Sequence, residues 1–419
     1  MTKILNSYKK IFSISIPLVL SMAATTVMEF TDRIFLSKYD INAIAAAMPA
    51  GIAVFLILTL FTGVTSYLNV FIAQYTGAGL NERIGSCVWQ GIYFTLFSAL
   101  VLLVISFFSE SIFKLSGHPP EVQHLESQYF KILCMGGGIN VLATVLTCFF
   151  SGRGHTAPVM VINFIGMIFN IPLDYAMING IWIFPEMGIQ GAGIATVCSW
   201  TLIALIYTLL IFNKSNDSKY RVLTNRKFDG DLFMQIIRKG GPAGLQFSLD
   251  VLAFTYFIFI VGRIGKLELA VTNIVLSIQS IAFMPAIGFS IGLSTLVGQS
   301  LARNDIKRAV KFTNQTIFIL LLYTLMLACL FVFFPQLILG LFLSPENNIE
   351  TLNSIANLGG DVIKLMAVLI CFDAMYFTFL GTLRGAGDTR FIMWVVSAAT
   401  VFVMMLPLSF IVFLFHWGL

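Results

Sequence analysis

The chain has 419 residues, of which 58% are hydrophobic and only 11% are charged. A soluble protein needs about 25% charged residues to cover its surface, so this composition excludes an assembly of soluble domains. The formal net charge of +5 is small, and we interpret it as anchoring at a membrane surface rather than as nucleic-acid binding.

Long stretches of the chain contain no charged residue at all, for example between Asp40 and Glu82 and between Glu268 and Arg303. A membrane helix needs roughly 20 apolar residues, so each such stretch holds at least one span. Polar and apolar residues do not alternate with a period of two, which argues against a transmembrane barrel. We therefore predict an all-α polytopic membrane protein with eleven spans, near 11–36, 43–74, 86–108, 128–150, 156–178, 188–212, 238–262, 268–299, 310–334, 361–383 and 390–415.

The distribution of basic residues predicts the orientation of these spans. If the N-terminus is cytoplasmic, 18 of the 25 Lys and Arg residues fall in cytoplasmic segments. The positive-inside rule then places the N-terminus in the cytoplasm. The six cysteines all lie in spans without a CxxC pair, and the four histidines show no ligand spacing, so we expect no structural metal and no cofactor.

The chain repeats itself at an offset of 225 residues that later becomes 233. Pro17 matches Pro242 and Gln74 matches Gln299, while the motif that begins at Gly152 matches the one that begins at Gly385. Six spans precede the only long polar connection, so both copies enter the membrane in the same sense and form parallel repeats. We predict an N-lobe at 1–212, a cytoplasmic linker at 213–238 and a C-lobe at 239–419.

The second repeat ends one span earlier than the first. Gly188 and Ile189 open the sixth span of the first copy, and their counterparts are Gly418 and Leu419, where the given sequence stops. We therefore expect a second repeat that is short of one helix.

Five carboxylates lie inside the predicted spans: Glu29, Asp32, Asp174, Asp250 and Asp373. An ionised acid near the bilayer centre costs roughly 2.5–3.5 kcal/mol on insertion scales. Such residues are therefore expected to face a cavity, bind a cation or carry a proton, unless a base neutralises them.

In the first repeat, Glu29 and Arg33 have the i, i+4 spacing and the order that favour a helical ion pair, so we predict that they pair. Asp32 shares a face with Glu29 and is a candidate for ion coupling. Asn170 and Asp174 share another helical face, where an amide and a carboxylate oxygen suit a hard cation. Thr196 on the next span can add a hydroxyl.

In the second repeat, Asp250 and Asp373 have no Lys or Arg close enough in sequence to neutralise them, so we assign both a coupling role. The acids do not superpose on the repeat, because Asp32 falls opposite Phe257 and Asp250 falls opposite Thr25. The scaffold is duplicated, but the ionisable chemistry differs between the copies.

Together these motifs resemble the multidrug and toxic compound extrusion (MATE) family, and in particular its NorM-like branch. The resemblance covers essentially the whole chain, and its most specific string runs from Leu383 to Thr389. It implies two six-helix lobes forming a V, and the export of small organic, cationic and aromatic compounds in exchange for H⁺ or Na⁺. By position, Asp32, Asn170, Asp174 and Thr196 match the family's N-lobe cation site.

The resemblance also places Asp250 and Asp373 at the C-lobe acidic pair, although Leu369 stands one turn before Asp373 where some relatives have a tyrosine. We expect a monomer that is not an enzyme, since the spans carry no nucleophile or metal motif. Two alternatives stay open. One is a flippase-type exporter of a lipid-linked or anionic precursor, and the other is a truncated remnant that does not transport.

Overall fold

The computed structural model describes residues 2–340 and 349–415. Within this part of the chain every regular element is helical, which confirms the all-α prediction. The helices are α1 Thr2–Tyr39, α2 Ile41–Ser66, α3 Leu68–Ala78, α4 Glu82–Phe107, α5 Ser109–Lys114, α6 Pro120–Ser151, α7 Ala157–Asn179, α8 Ile189–Ile211, α9 Lys214–Tyr220, α10 Gly230–Ile264, α11 Lys266–Leu301, α12 Ile306–Phe333, α13 Pro335–Gly340, α14 Ile349–Ala386, α15 Thr389–Ala399 and α16 Leu406–Phe415, with a π-helical segment Thr400–Met405 joining the last two.

Eleven of the helical stretches in the described residues are long and apolar enough to cross a membrane, and each coincides with one predicted span. One of them, Ile41–Ala78, combines α2 and α3, and the last, Thr389–Val412, runs through α15, the π segment and α16. The prediction of a polytopic protein with eleven spans is therefore confirmed. The end of the chain at 416–419, which the repeat sets opposite the start of a sixth span, lies outside the described residues.

The helices group into two compact units. The N-terminal unit holds Leu20–Ser248 and Gly298–Asp305, and the C-terminal unit holds Leu249–Val297 together with residues 2–19 and 306–415. The units therefore do not coincide with the two repeats, because the first half of α1 belongs to the C-terminal unit. The lobe and linker boundaries read from the repeat stay predictions.

Helix α6 is the centre of the N-terminal unit and packs against α2, α4 and α8. Its three consecutive glycines, Gly136, Gly137 and Gly138, make this possible, since each faces a different helix. A Cβ atom at Gly136 would collide with Val197 of α8, and one at Gly138 would lie 2.5 Å from the Cβ of Ala99 in α4. Small residues of this kind let helix backbones approach closely where no hydrophobic effect drives them together.

The repeat is visible in the packing inside each unit. In the N-terminal unit, the Cys148 thiol lies 3.7 Å from the Thr65 carbonyl oxygen. In the second repeat, Gly381 is the counterpart of Cys148 and Ser290 is the counterpart of Thr65. These two residues meet in the same way in the C-terminal unit, because a Cβ at Gly381 would lie 2.5 Å from the Ser290 carbonyl oxygen. One turn on, Gly385 packs against Ser294 in the same manner. Two copies of one helix-crossing pattern therefore support the two cores.

The long polar connection is held against α4. The Trp89 indole donates to the Val222 carbonyl at 2.7 Å, and Gln90 donates to the Lys227 carbonyl at 3.1 Å. Within the connection, the Thr224 hydroxyl and the backbone amides beside it hydrogen-bond to Asp217, which holds the pKa of that carboxyl below its usual range. The segment is therefore fixed by polar contacts, although its composition predicts only a solvated linker.

A second ordered polar cluster follows α5. Glu126 is completely buried, and its carboxylate contacts His118 Nδ1 at 2.7 Å. The Gln123 side chain donates to the His118 carbonyl, which fixes the turn that carries the imidazole. A buried charge with one close ionic partner depends strongly on that partner.

Candidate cation-binding site

Three of the predicted site residues of the first repeat lie on helices that meet in the N-terminal unit. Asp32 on α1 and Thr196 on α8 are more than nine-tenths buried, and the Thr196 hydroxyl donates to Asp32 Oδ2 at 3.3 Å. Asp174 on α7 is completely buried, and its carboxyl interacts electrostatically with that of Asp32. The structure therefore brings Asp32, Asp174 and Thr196 together, as the sequence predicts.

Asn170 lies one turn before Asp174 on α7 and is also completely buried. Within the described residues, both polar atoms of Asn170, both oxygens of Asp174 and Asp32 Oδ1 lack a hydrogen-bond partner. Buried polar groups are nearly always satisfied in folded proteins, so five such atoms on neighbouring residues require an explanation. Carboxylate and amide oxygens suit a hard cation, and a proton on a carboxyl would also supply a donor.

Local sequence explains how these side chains come together. Gly191 lets α8 approach α7 backbone to backbone, since a Cβ there would lie 2.6 Å from the Met177 carbonyl carbon and oxygen. At the end of α1, the Tyr39 hydroxyl donates to Glu186 at 2.9 Å, which ties α1 to the loop between α7 and α8. Pro172, which stands between Asn170 and Asp174 in sequence, has no N–H, so the carbonyl of Ile168 loses its helical hydrogen bond.

Sequence reasoning missed Tyr129 on α6. This residue is 8% exposed, and its phenol lies in electrostatic range of Asp32, Asp174 and Glu29. No hydrogen bond to its hydroxyl is formed by the described residues. The only signal in the sequence was a tyrosine in an apolar span, and that does not predict which helix it faces.

The ion pair predicted between Glu29 and Arg33 is not formed. Neither side chain takes part in an ion pair within 4 Å among the described residues. Both side chains are exposed on α1, and they interact only at longer range. The i, i+4 spacing allows contact, but contact also requires both long side chains to adopt one geometry, which costs rotamer entropy.

The second-repeat acids lie in the C-terminal unit. Asp250 on α10 and Asp373 on α14 are both half-buried, and both interact electrostatically with the hydroxyl of Tyr376. Gln279 on α11 makes a polar contact with Asp373, and Arg384 is a further charged neighbour of the Tyr376 phenol. Tyr376 was not predicted, although it stands three residues after Asp373 and supplies a phenol that Leu369 cannot.

Among the described residues, eleven apolar helices in two parallel repeats, with acids that are buried in the first repeat and half-buried in the second, define a polytopic membrane transporter. The family model MatE matches the chain twice, at residues 17–176 and at 242–411, one match for each repeat. The chain belongs to the MatE family, whose members are transporters and not enzymes.

Known proteins across this family are similar over nearly the whole chain. The probable multidrug resistance protein NorM of Thermotoga maritima is 26% identical over 408 residues, which is 96% of this chain and 85% of that protein. A crystal structure of a mutant MATE protein is 19% identical with a TM-score of 0.86, covering 97% of this chain and 88% of the other. A MOP-superfamily transporter from Pyrococcus furiosus, whose reversed binding-pocket polarity suggests a different function, has a TM-score of 0.83 at 20% identity and covers 94% of this chain and 86% of the other.

Proposed function

We propose that this protein is a secondary active multidrug efflux antiporter that exports organic, positively charged compounds in exchange for H⁺ or Na⁺. The observation that carries this proposal is the buried pair Asp32 and Asp174, in which three of the four carboxylate oxygens lack hydrogen-bond partners among the described residues. Two buried carboxylates repel each other when both are ionised, so the pair needs a positive charge to enter. The multidrug resistance names of the bacterial relatives support export of drug-like compounds.

In this mechanism the driving cation enters the site formed by Asp32, Asn170, Asp174 and Thr196. Asp250 and Asp373 form a second acidic site in the C-terminal unit, where a cationic substrate and the driving ion compete for the same negative charge. The cation can drive the conformational switch only if it binds the two conformations with different affinity. Competition in the C-terminal unit and cation binding in the N-terminal unit then couple export of the substrate to entry of the driving ion. This mechanism needs no further cofactor.

The proposed location is the bacterial inner membrane, with a cytoplasmic N-terminus and a monomeric protein. The distribution of 18 of the 25 basic residues supports this orientation. Protease access to an N-terminal tag in inverted and in right-side-out membrane vesicles tests it. Cleavage only in inverted vesicles is expected.

Ethidium efflux from cells tests the function directly. Proton and sodium gradients are imposed separately, and the parent is compared with Asp32→Asn, Asp250→Asn and Asp373→Asn. The proposal expects efflux by the parent under at least one gradient and loss of efflux in the variants. If all three variants pump like the parent, the coupling role of these acids is wrong. A parent that exports ethidium under neither gradient favours the flippase-type exporter or the inactive remnant.

A further inference from the structure

Helix α1 carries two exposed charges beside the buried Asp32. Glu29 precedes Asp32 by three residues and Arg33 follows it directly, and both side chains are exposed while Asp32 is only 6% exposed. Neither charge belongs to an ion pair within the part of the chain that the structure describes. An unpaired, exposed carboxylate within an apolar span is unusual and needs its own explanation.

The depth of Glu29 follows from its neighbours. Asp174 lies five residues before the end of α7, which is about 8 Å at the rise of an α-helix. Asp32 interacts with Asp174, and α1 and α7 end on the same side, where Tyr39 bonds Glu186. Glu29 lies three residues, or about 4–5 Å, farther from that end than Asp32. Glu29 therefore lies roughly 12 Å deeper than the end of α7, a membrane-spanning helix of 23 residues.

This depth excludes ordinary lipid contact for an ionised Glu29. A glutamate side chain is too short to carry its carboxylate to the membrane boundary from this depth. An acid facing hydrocarbon would cost roughly 2.5–3.5 kcal/mol, whereas one that borders a water-filled passage keeps its hydration. The exposed face of α1 at Glu29 therefore borders water.

We propose that Glu29 is a substrate-recognition carboxylate that selects organic cations, while the buried Asp32 holds the driving ion. This inference rests on the proposed function: it divides two roles between acids one helical turn apart, and it adds Glu29 to Asp250 and Asp373 as a contact for the substrate. Burial keeps a bulky substrate from reaching the Asp32 carboxylate, whereas the exposed Glu29 carboxylate is accessible to such a substrate. Tyr129, which is nine-tenths buried, lies in electrostatic range of both acids.

Arg33 adds a selectivity to this site. It stands one turn after Glu29 and is also exposed, so a substrate that meets Glu29 has a fixed positive charge nearby. A single positive charge on the substrate can pair with Glu29, but a second one is repelled by Arg33. The site should therefore prefer monocations to dications that have the same aromatic skeleton.

Binding measurements with ethidium and propidium test both the recognition of a cation by Glu29 and the preference for monocations set by Arg33. These phenanthridinium dyes share a ring system but carry one and two positive charges. In purified protein, Glu29→Gln should weaken ethidium binding about tenfold, the scale of a lost charge-assisted contact. Glu110→Gln, an exposed acid outside the candidate spans, should leave it unchanged. Arg33→Gln should reduce the difference in binding affinity between ethidium and propidium.

A labelling experiment tests the location of Glu29 without any transport. Glu29→Cys should react with a charged, membrane-impermeant methanethiosulfonate and be protected by ethidium. Leu96→Cys, at a position 64% exposed on α4, should not react. Equal reactivity of the two variants means that Glu29 faces lipid, and this overturns the inference. Unchanged ethidium affinity in Glu29→Gln also overturns the role of Glu29, but it leaves the proposed antiport function intact. A parent protein that binds no organic cation contradicts both the role of Glu29 and the proposed function.

Discussion

Replacing Asp174 by asparagine should make the protein more stable and abolish its response to the driving cation. Asp174 is completely buried, both its oxygens lack partners among the described residues, and its carboxyl interacts with that of Asp32. Leaving a buried polar group unsatisfied costs about 1–3 kcal/mol, and more if it is charged. Asparagine has nearly the same shape and keeps two polar atoms there, but it removes the charge and its repulsion of Asp32. That charge is worth about 1–3 kcal/mol, so Asp174→Asn should gain this amount in the cation-free protein.

The size of the expected effect follows from chain length. An unfolding entropy of about 2.1 cal/mol/K per residue, over 419 residues, gives roughly 0.9 kcal/mol/K, so 1 kcal/mol shifts Tm by about 1 °C. The cation-free variant should therefore melt about 1–3 °C above the parent. A cation at 100 times its Kd stabilises the parent by about 2.7 kcal/mol, or about 3 °C. This second shift should be absent in the variant.

The assay is thermal unfolding of purified protein, followed by the fluorescence of its five tryptophans over a range of sodium concentrations. Parallel series at several pH values test protons as the ligand. Asp231→Asn, at an exposed position on α10, is the matched control and should melt and respond like the parent. A variant that melts below the parent and keeps the full cation response would refute this account of the site.

Three further predictions concern the scaffold. Gly63→Ala should lower Tm by about 1–3 °C through overpacking of about 1–3 kcal/mol, because its Cβ would meet the α10 backbone, whereas Gly51→Ala, with no atom within 4 Å, should be neutral in the same melting assay. Trp89→Phe removes one hydrogen bond to the polar connection, so trypsin should cleave that connection faster than in the parent. His118→Ala should lower Tm because it removes the ionic partner of a buried carboxylate, while His124→Ala, at an exposed histidine, should not.

The sequence predicts the span count well and singles out the candidate acids, for a simple physical reason. A charge inside a bilayer is expensive, so charge-free stretches mark helices and the few charges within them mark function. Asp32, Asp174 and Thr196 come together as expected because Gly191 and the end of α1 fix three helices against one another.

Other features depend on rotamers and on helix rotation, which spacing alone does not determine. Glu29 and Arg33 have ideal spacing but form no ion pair within 4 Å, so the predicted ion pair was wrong. Tyr129 approaches Asp32 and Asp174, and Tyr376 approaches Asp250, only through tertiary packing, and an apolar span gives no signal for that. Likewise, the polar composition of the connection does not reveal that Trp89 fixes it to α4.

Counterflow in proteoliposomes tests the central claim most directly. Purified protein is reconstituted, an ethidium gradient is imposed without any ion gradient, and movement of Na⁺ and H⁺ in the opposite direction is recorded. The account predicts that ethidium drives counterflow of one of these ions in the parent, and that Asp32→Asn abolishes both movements together. Ethidium transport without counterflow of either ion, or counterflow that persists in Asp32→Asn, would contradict it.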